Sequence, residues 1–209
     1  MVSETELPRK EREQLLHKQQ IVDAAMRLFS AKGFHTVSMQ EIATQAQFAI
    51  GTLYKFFPSK EALYEEIMTQ SGIRIMEIIG PILDAEMDER EKLAKLIRAS
   101  SDIFRTNAPA IRLFLETHQE CLINDSALPD ENSEKAKFHR TMLTKFEEVV
   151  ASGVRKGFFR DIDPKVGAFT INATLRALVF SAAQESQIDL LERRIADFER
   201  LLFNGILNS

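Results

Sequence analysis

Apolar side chains recur every three to four positions along almost the whole of this 209-residue chain, and little interrupts them. That period is the mark of amphipathic helices, and nowhere do β-branched residues alternate with polar ones for long. The expected fold is therefore all-α. With only 8 Gly and 6 Pro, each helix breaker can be read singly. A first helix is expected over about 11–32, with Ile21, Ala24 or Ala25, Leu28 and Phe29 inward and Gly33 as its stop. Ser38 and Glu41 form an S-x-x-E capping box that opens a short second helix ending near Ala46. A third covers about 50–56 and ends at Pro58. Ser59 caps a fourth, which runs to about Ile79 before Pro81 stops it.

Five longer helices are expected beyond, over about 88–105, 109–123, 131–156, 164–185 and 188–206. Pro109 fits the first turn of the second of these, and Gly157 the end of the third. In the fourth, Val166, Phe169, Ala173, Ala177 and Phe180 are read as the apolar stripe, for core or subunit interface. In the fifth it is Ile188, Leu191, Ile195, Phe198, Leu202 and Ile206.

A chain that is 44% hydrophobic and 28% charged folds rather than staying disordered. No apolar run is read as approaching the roughly 20 residues that span a bilayer. The start, MVSETELPRK, lacks the apolar stretch of a secretory signal, and Cys121, the one cysteine, leaves no internal disulfide. These features point to the cytoplasm and to no membrane partner. Phosphate-binding loops, dinucleotide fingerprints and H-E-x-x-H are missing, and no nucleophile–base pair stands out, so neither an enzyme nor a cofactor is expected. His118 and Cys121, three apart with Asp125 beyond, are too few for a metal centre and are read as core, so no metal is expected.

The formal net charge of −4 argues mildly against nucleic acid until it is mapped. Residues 8–60 hold 8 Lys and Arg against 4 Asp and Glu, which makes them +4. Residues 61–209 hold 19 against 25, which makes them −6, and residues 1–7 add −2. The basic part contains two short helices joined by a turn of three or four residues. Helices so short need a third to close a core, here 11–32, and together they make a helix-turn-helix unit whose second helix suits a DNA major groove.

Over 15–65 the chain resembles the TetR (tetracycline-repressor-like) family of bacterial transcription regulators. The likeness lies in AAMRLFSAKGF at 24–34, in T-V-S-x-x-x-I-A from Thr36, and in G-T-L-Y-x-F-F-x-S-K-E-x-L at 51–63. Gly153, Gly157, Phe159, Asp163 and Pro164 form a junction also common in that family. Two positions depart from its pattern. Gln47 stands where the interhelical turn usually has glycine, and Ala49, which cannot cap, stands where a capping Ser or Thr is frequent.

The resemblance implies a helix-turn-helix DNA-binding domain over 1–60 and a ligand-sensing, dimerising helical bundle over 61–209. It implies a dimeric repressor that leaves a near-palindromic operator when a small, largely apolar effector binds. A second reading keeps the fold and DNA binding but replaces the effector with a protein partner or an architectural role. Candidate DNA contacts are Thr36 and Ser38 at the second helix, then Ala49, Ile50, Gly51, Thr52, Tyr54 and Lys55 along the third, and Lys60 beyond it. Ile50 can read a thymine methyl or pack in the core, as can Phe48. Lys60, in a helix first turn where the dipole disfavours a cation, suits a phosphate partner or plain solvent. Arg9, Lys10, Arg12 and His35 are further phosphate candidates.

Effector-lining candidates are Phe104, Phe114, His118, Cys121 and Phe138, then Met142, Phe146 and Phe169, all of which core packing explains equally. Asn172 and Arg176, one turn apart on an apolar helix, either orient a polar head group or cross a dimer interface. Phe180, Leu191, Ile195, Phe198 and Leu202 are the candidate dimer contacts.

Overall fold

The computed structural model describes residues 8–117, 134–185 and 188–206. Among them are eight helices and no strand: α1 (Arg9–Lys32), α2 (Met39–Gln45), α3 (Ile50–Phe56), α4 (Lys60–Asp84), α5 (Glu89–Thr117), α6 (Glu134–Arg155), α7 (Pro164–Glu185) and α8 (Ile188–Ile206). The chain divides into two compact units, Met1–Thr69 and Gln70–Ser209, so that α4 contributes residues to both.

In the first unit, α1 supplies Ile21, Val22, Ala24, Ala25 and Phe29 to a core completed by Ile42, Ala43, Leu53, Phe57, Leu63 and Ile67. Seven-residue helices such as α2 and α3 do not persist alone. Burying Ile42 and Leu53 completely holds them, at roughly 1.5–3 kcal/mol for each side chain. Phe34 stacks at an angle on Phe29, with centroids 5.2 Å apart, and meets Tyr64 edge-on at 5.5 Å. Lys18 and Glu66 pair across α1 and α4 at 2.7 Å.

The second unit is built around α5, which packs against α6, α7 and α8. Leu93, Leu96, Ile97 and Phe104 of α5 meet Met142, Phe146, Val149 and Val150 of α6, and Leu191, Ile195, Phe198 and Leu202 of α8. Asp163 opens α7: its carbonyl accepts the Gly167 N–H and its carboxylate accepts the Lys165 N–H, each at 2.9 Å. Pro164 follows at the first helical position, where its missing N–H costs nothing.

Three expectations need correction. Pro81 does not stop α4, which runs on to Asp84. Pro109 does not open a new helix but lies inside a single α5, so four helices rather than five follow α4 among the described residues. An interior proline costs about 3 kcal/mol. Burial of Ala110, Leu113 and Leu115 on the far side of Pro109 outweighs it. Third, for α7 the core reading of its large-residue stripe fails, and the opposite face packs inward. Gly167, Ala168, Ile171, Leu175, Val179, Ala182 and Ala183 point inward, while Val166 and Phe169 are 61% and 50% exposed. Apolar on both faces, α7 is also long and apolar enough to cross a membrane by length and composition, which the reading of apolar runs had missed. Its inner side is packed by three neighbouring helices.

Candidate nucleic-acid interface

The connection between α1 and α2 is tied down by hydrogen bonds from Thr36, Ser38 and Lys60. Gly33, at φ 83°, ends α1. The Thr36 hydroxyl donates back to the carbonyls of Lys32 (2.5 Å) and Gly33 (3.1 Å). At Ser38 the capping box is complete: the Glu41 N–H donates to the Ser38 hydroxyl at 3.2 Å, and Glu41 Oε2 accepts the Ser38 N–H at 2.9 Å. The Lys32 ammonium reaches Glu41 Oε1 at 2.8 Å. Together, Lys32 first and Ser38 second, these donors pull the Glu41 carboxyl from its ordinary 4.5 down to about 2.

From the other side comes Lys60. Its ammonium donates to the carbonyls of Phe34 (2.8 Å), Val37 (3.0 Å) and His35 (3.3 Å) and lies 4.6 Å from the centroid of the Phe34 ring. A lysine has three N–H donors and no acceptor, so all three are engaged.

The α2–α3 turn is a Schellman motif. The Phe48 N–H reaches the Ala43 carbonyl at 2.9 Å and the Gln47 N–H the Thr44 carbonyl at 3.1 Å. The pivot is Gln47, at φ 61°. A left-handed non-glycine residue costs roughly 1–2 kcal/mol. Part of that is recovered because glycine would free the unfolded chain. Gln47→Gly should therefore stabilise the protein by about 1 kcal/mol. A thermal melt reads this as a rise of some 2–4 °C, and an unchanged or lower Tm would contradict it. Ala49 stands extended before α3 and makes no side-chain cap, as its chemistry requires.

On α3, Leu53 is completely buried and the opposite side carries Gly51, Tyr54 and Lys55, all exposed. A side-chain carbon at Gly51 would meet nothing within 4 Å, so the backbone is open to a close approach there. Ala49 is exposed, while Ile50 and Thr52 are half-buried at the edge of this surface. Phe48 is half-buried beside the His17 ring, with centroids 5.0 Å apart, and His17 also faces Phe56 at 6.5 Å. His17 and Lys32 escaped sequence reasoning. Helical spacing puts them on the polar side of α1, and only the fold brings them to Phe48 and Glu41. Arg9, Lys10, Arg12 and His35 are exposed.

Three helices with this tight turn and an open face on α3 form a helix-turn-helix, and the family model described as "Bacterial regulatory proteins, tetR family" matches residues 21–67. The chain belongs to the TetR family. It is a transcriptional regulator of that family. Whole-chain likenesses agree. The HTH-type transcriptional regulator RutR of Escherichia coli K12 is 28% identical over 200 residues, covering 90% of each chain. The "Fatty acid metabolism regulator protein" of Bacillus subtilis is 26% identical over 191 residues, covering 90% of this chain and 95% of its own. Among solved structures, FadR of Bacillus subtilis in complex with stearoyl-CoA is similar in fold. Its TM-score is 0.71 at 24% identity, over 90% of this chain and 98% of that one.

The candidates in the second unit of this TetR-family chain separate by face. Phe104, Met142 and Phe146 lie in the core, and the half-buried rings of Phe114 and Phe180 approach to 5.9 Å. Asn172 and Arg176 are half-buried, whereas Phe169 is on the outward side of α7. His118, Cys121 and Asp125, and the side chain of Phe138, lie outside the described residues. Leu191, Ile195, Phe198 and Leu202, read from the sequence as dimer contacts, are buried in the chain's own core at 0%, 3%, 9% and 6% exposure. The amphipathic stripe of α8 is therefore satisfied within one chain.

Proposed function

We propose that this regulator is a cytoplasmic, dimeric repressor that binds a near-palindromic operator through α3 and leaves it when a small, largely apolar effector occupies the C-terminal unit. The observation that carries the reading is the open face of α3. Tyr54 and Lys55 flank a glycine with nothing against it, on a seven-residue helix whose other side is locked into the core. Such a helix fits a major groove with its N-terminal residues at base edges, and Lys55 and Tyr54 serve phosphate and sugar. The boundary between the DNA-reading and sensing jobs is placed after residue 60.

For the dimer, the support is the outward row on α7. Val166, Phe169, Ala173 and Ala177 share one face, with Val166 and Phe169 largely exposed. A helix apolar all round calls for packing on both sides. A second copy of the chain supplies the missing side through a two-fold interface and sets two recognition helices on successive groove faces. Leu201 of α8, 73% exposed, is a further candidate for that face.

For the effector, the aromatic content around Phe104, Phe114, Phe146 and Phe180 favours an apolar ligand, with Asn172 and Arg176 for its polar end. The name of the Bacillus subtilis relative and the stearoyl-CoA in a protein of the same fold make a long-chain acyl-CoA the first compound to try. To act, it must bind the DNA-free form better than the DNA-bound form.

The test begins with selection of a duplex from genomic fragments by the wild-type protein, followed by gel shift. Tyr54→Ala should weaken binding to that duplex by about tenfold, some 1.4 kcal/mol, without lowering the Tm. Stearoyl-CoA should release the wild-type complex. Failure to select any sequence would sink the regulator–operator reading. Selection without release by stearoyl-CoA or by purely apolar ligands would favour control by a protein partner.

A further inference from the structure

We infer that Lys60 is a positioning residue for DNA binding, clamping the α1–α2 connection, and not a phosphate contact. The inference rests on the operator reading above. It stands on geometry: the ammonium collects the carbonyls of residues 34, 35 and 37 within 3.3 Å and caps the Phe34 ring. These are the residues between the end of α1 and the N-cap of α2. With its three donors engaged, the ammonium has none left for a phosphate oxygen.

The clamp also accounts for a cation at the start of a helix. Lys60 sits in the first turn of α4, where the dipole opposes it. Three carbonyl oxygens pointing at one nitrogen supply the negative potential that the helix end denies. What the clamp holds is the register of α2. Val37 is buried in the core, Thr36 hangs on the end of α1, and Ser38 begins the capping box. If the loop carbonyls were released, the start of α2 would be free to shift, and α3 follows α2 through a turn of only four residues. Phe34, stacked between Phe29 and Tyr64 and touched by Lys60, ties the same clamp to the core.

Phosphate contact and clamp differ in their salt dependence. Losing a phosphate contact lowers the slope of log K against log salt by about 0.9 for each head, whereas losing a positioning group weakens binding at constant slope. They also differ for arginine. Arginine keeps the charge and is an excellent phosphate partner, but its planar fork cannot take the place of a compact ammonium among three carbonyls.

The experiment measures affinity for the selected duplex over a range of KCl for the wild type, Lys60→Met and Lys60→Arg. Amide hydrogen exchange of residues 34–38 is followed in the absence of DNA. The clamp predicts that both variants lose about tenfold in affinity with the wild-type salt slope, and that exchange accelerates at 34–38 while the amides of Ile21 to Ala25 keep their protection. A shallower slope for Lys60→Met together with wild-type affinity for Lys60→Arg would overturn the proposal, as would unchanged exchange at 34–38. Loss of protection throughout α1 in both variants would make Lys60 a general stability residue and equally overturn it. Should the wild type select no duplex, the operator reading fails by itself, and the exchange measurement still decides whether the clamp exists.

Discussion

Phe169→Asp should turn the protein into a monomer and abolish tight operator binding while leaving the fold intact. Phe169 is half-exposed in the single chain, on the side of α7 away from its core, so a carboxylate there stays hydrated in the monomer. In the proposed dimer the same position is covered by apolar surface. A two-fold axis makes the substitution count twice, and each buried carboxylate lacks a partner, which costs several kcal/mol. A combined loss of at least about 4 kcal/mol corresponds to a thousandfold weaker dimer. Operator affinity falls with it, because the second head then loses the effective concentration that linkage gives it. Sedimentation equilibrium and gel shift read the two effects. Leu191→Asp is the contrast. Leu191 has no exposure in the single chain, so a charge there should lower the Tm steeply instead of changing the mass. A Phe169→Asp protein that sediments as a dimer would remove α7's outer face from the interface.

That contrast shows where sequence reasoning worked and where it could not. The bounds of α3, α7 and α8 and the Ser38–Glu41 box were legible, because caps, prolines and glycines act locally. Pro81 and Pro109 misled because their effect is also local, while the burial that outweighs them comes from residues distant in sequence. For α7, periodicity had no means of choosing a face. Both sides are apolar, and the large residues drew attention to the side that turns outward. At Gly167 and Ala168 the inward side is small, and α6 passes close by there. A side-chain carbon on Gly167 would lie 3.0 Å from Val150. The stripe of α8 was read correctly as buried, but periodicity says nothing about whether the cover comes from the same chain. At the DNA-binding unit the exposed face of α3 was legible, since Leu53 fixes the opposite side. The clamp at Lys60 was not: a misplaced cation is visible in sequence, but three backbone carbonyls converging from residues 34–37 are not. Thr36 and Ser38 were placed at the right spot, yet their hydroxyls already serve the ends of α1 and α2.

Gly153→Ala should destabilise the second unit by about 2 kcal/mol, although alanine is the better helix former. Gly153 lies in the last turn of α6, where alanine would on propensity alone gain up to about 1 kcal/mol. The added carbon, however, would sit 2.2 Å from two atoms of the Phe159 ring, and that ring is 2% exposed. Phe159 cannot swing away freely, because its N–H is held by the Gly153 carbonyl at 3.1 Å. Gly157, at φ 76°, reverses the chain through the same kind of turn that Gln47 makes after α2, with the Phe158 N–H bonded to the Gly153 carbonyl at 2.9 Å. One glycine carbonyl therefore receives both amides that follow the turn, and its missing side chain receives the ring. Overpacking so confined a site costs roughly 1–3 kcal/mol beyond the propensity gain. For a chain of this size the net loss lowers the Tm by about 4–8 °C. Gly80→Ala has the opposite sign: nothing lies within 4 Å of its added carbon inside α4, so the Tm should rise. A smaller side chain at position 159 should relieve the clash. In a Phe159→Leu background the Gly153→Ala substitution should cost clearly less than it does in the wild type, since the two positions share one space. Equal costs in both backgrounds, or a Gly153→Ala protein that melts no earlier than the wild type, would show that the ring does not occupy the glycine's place.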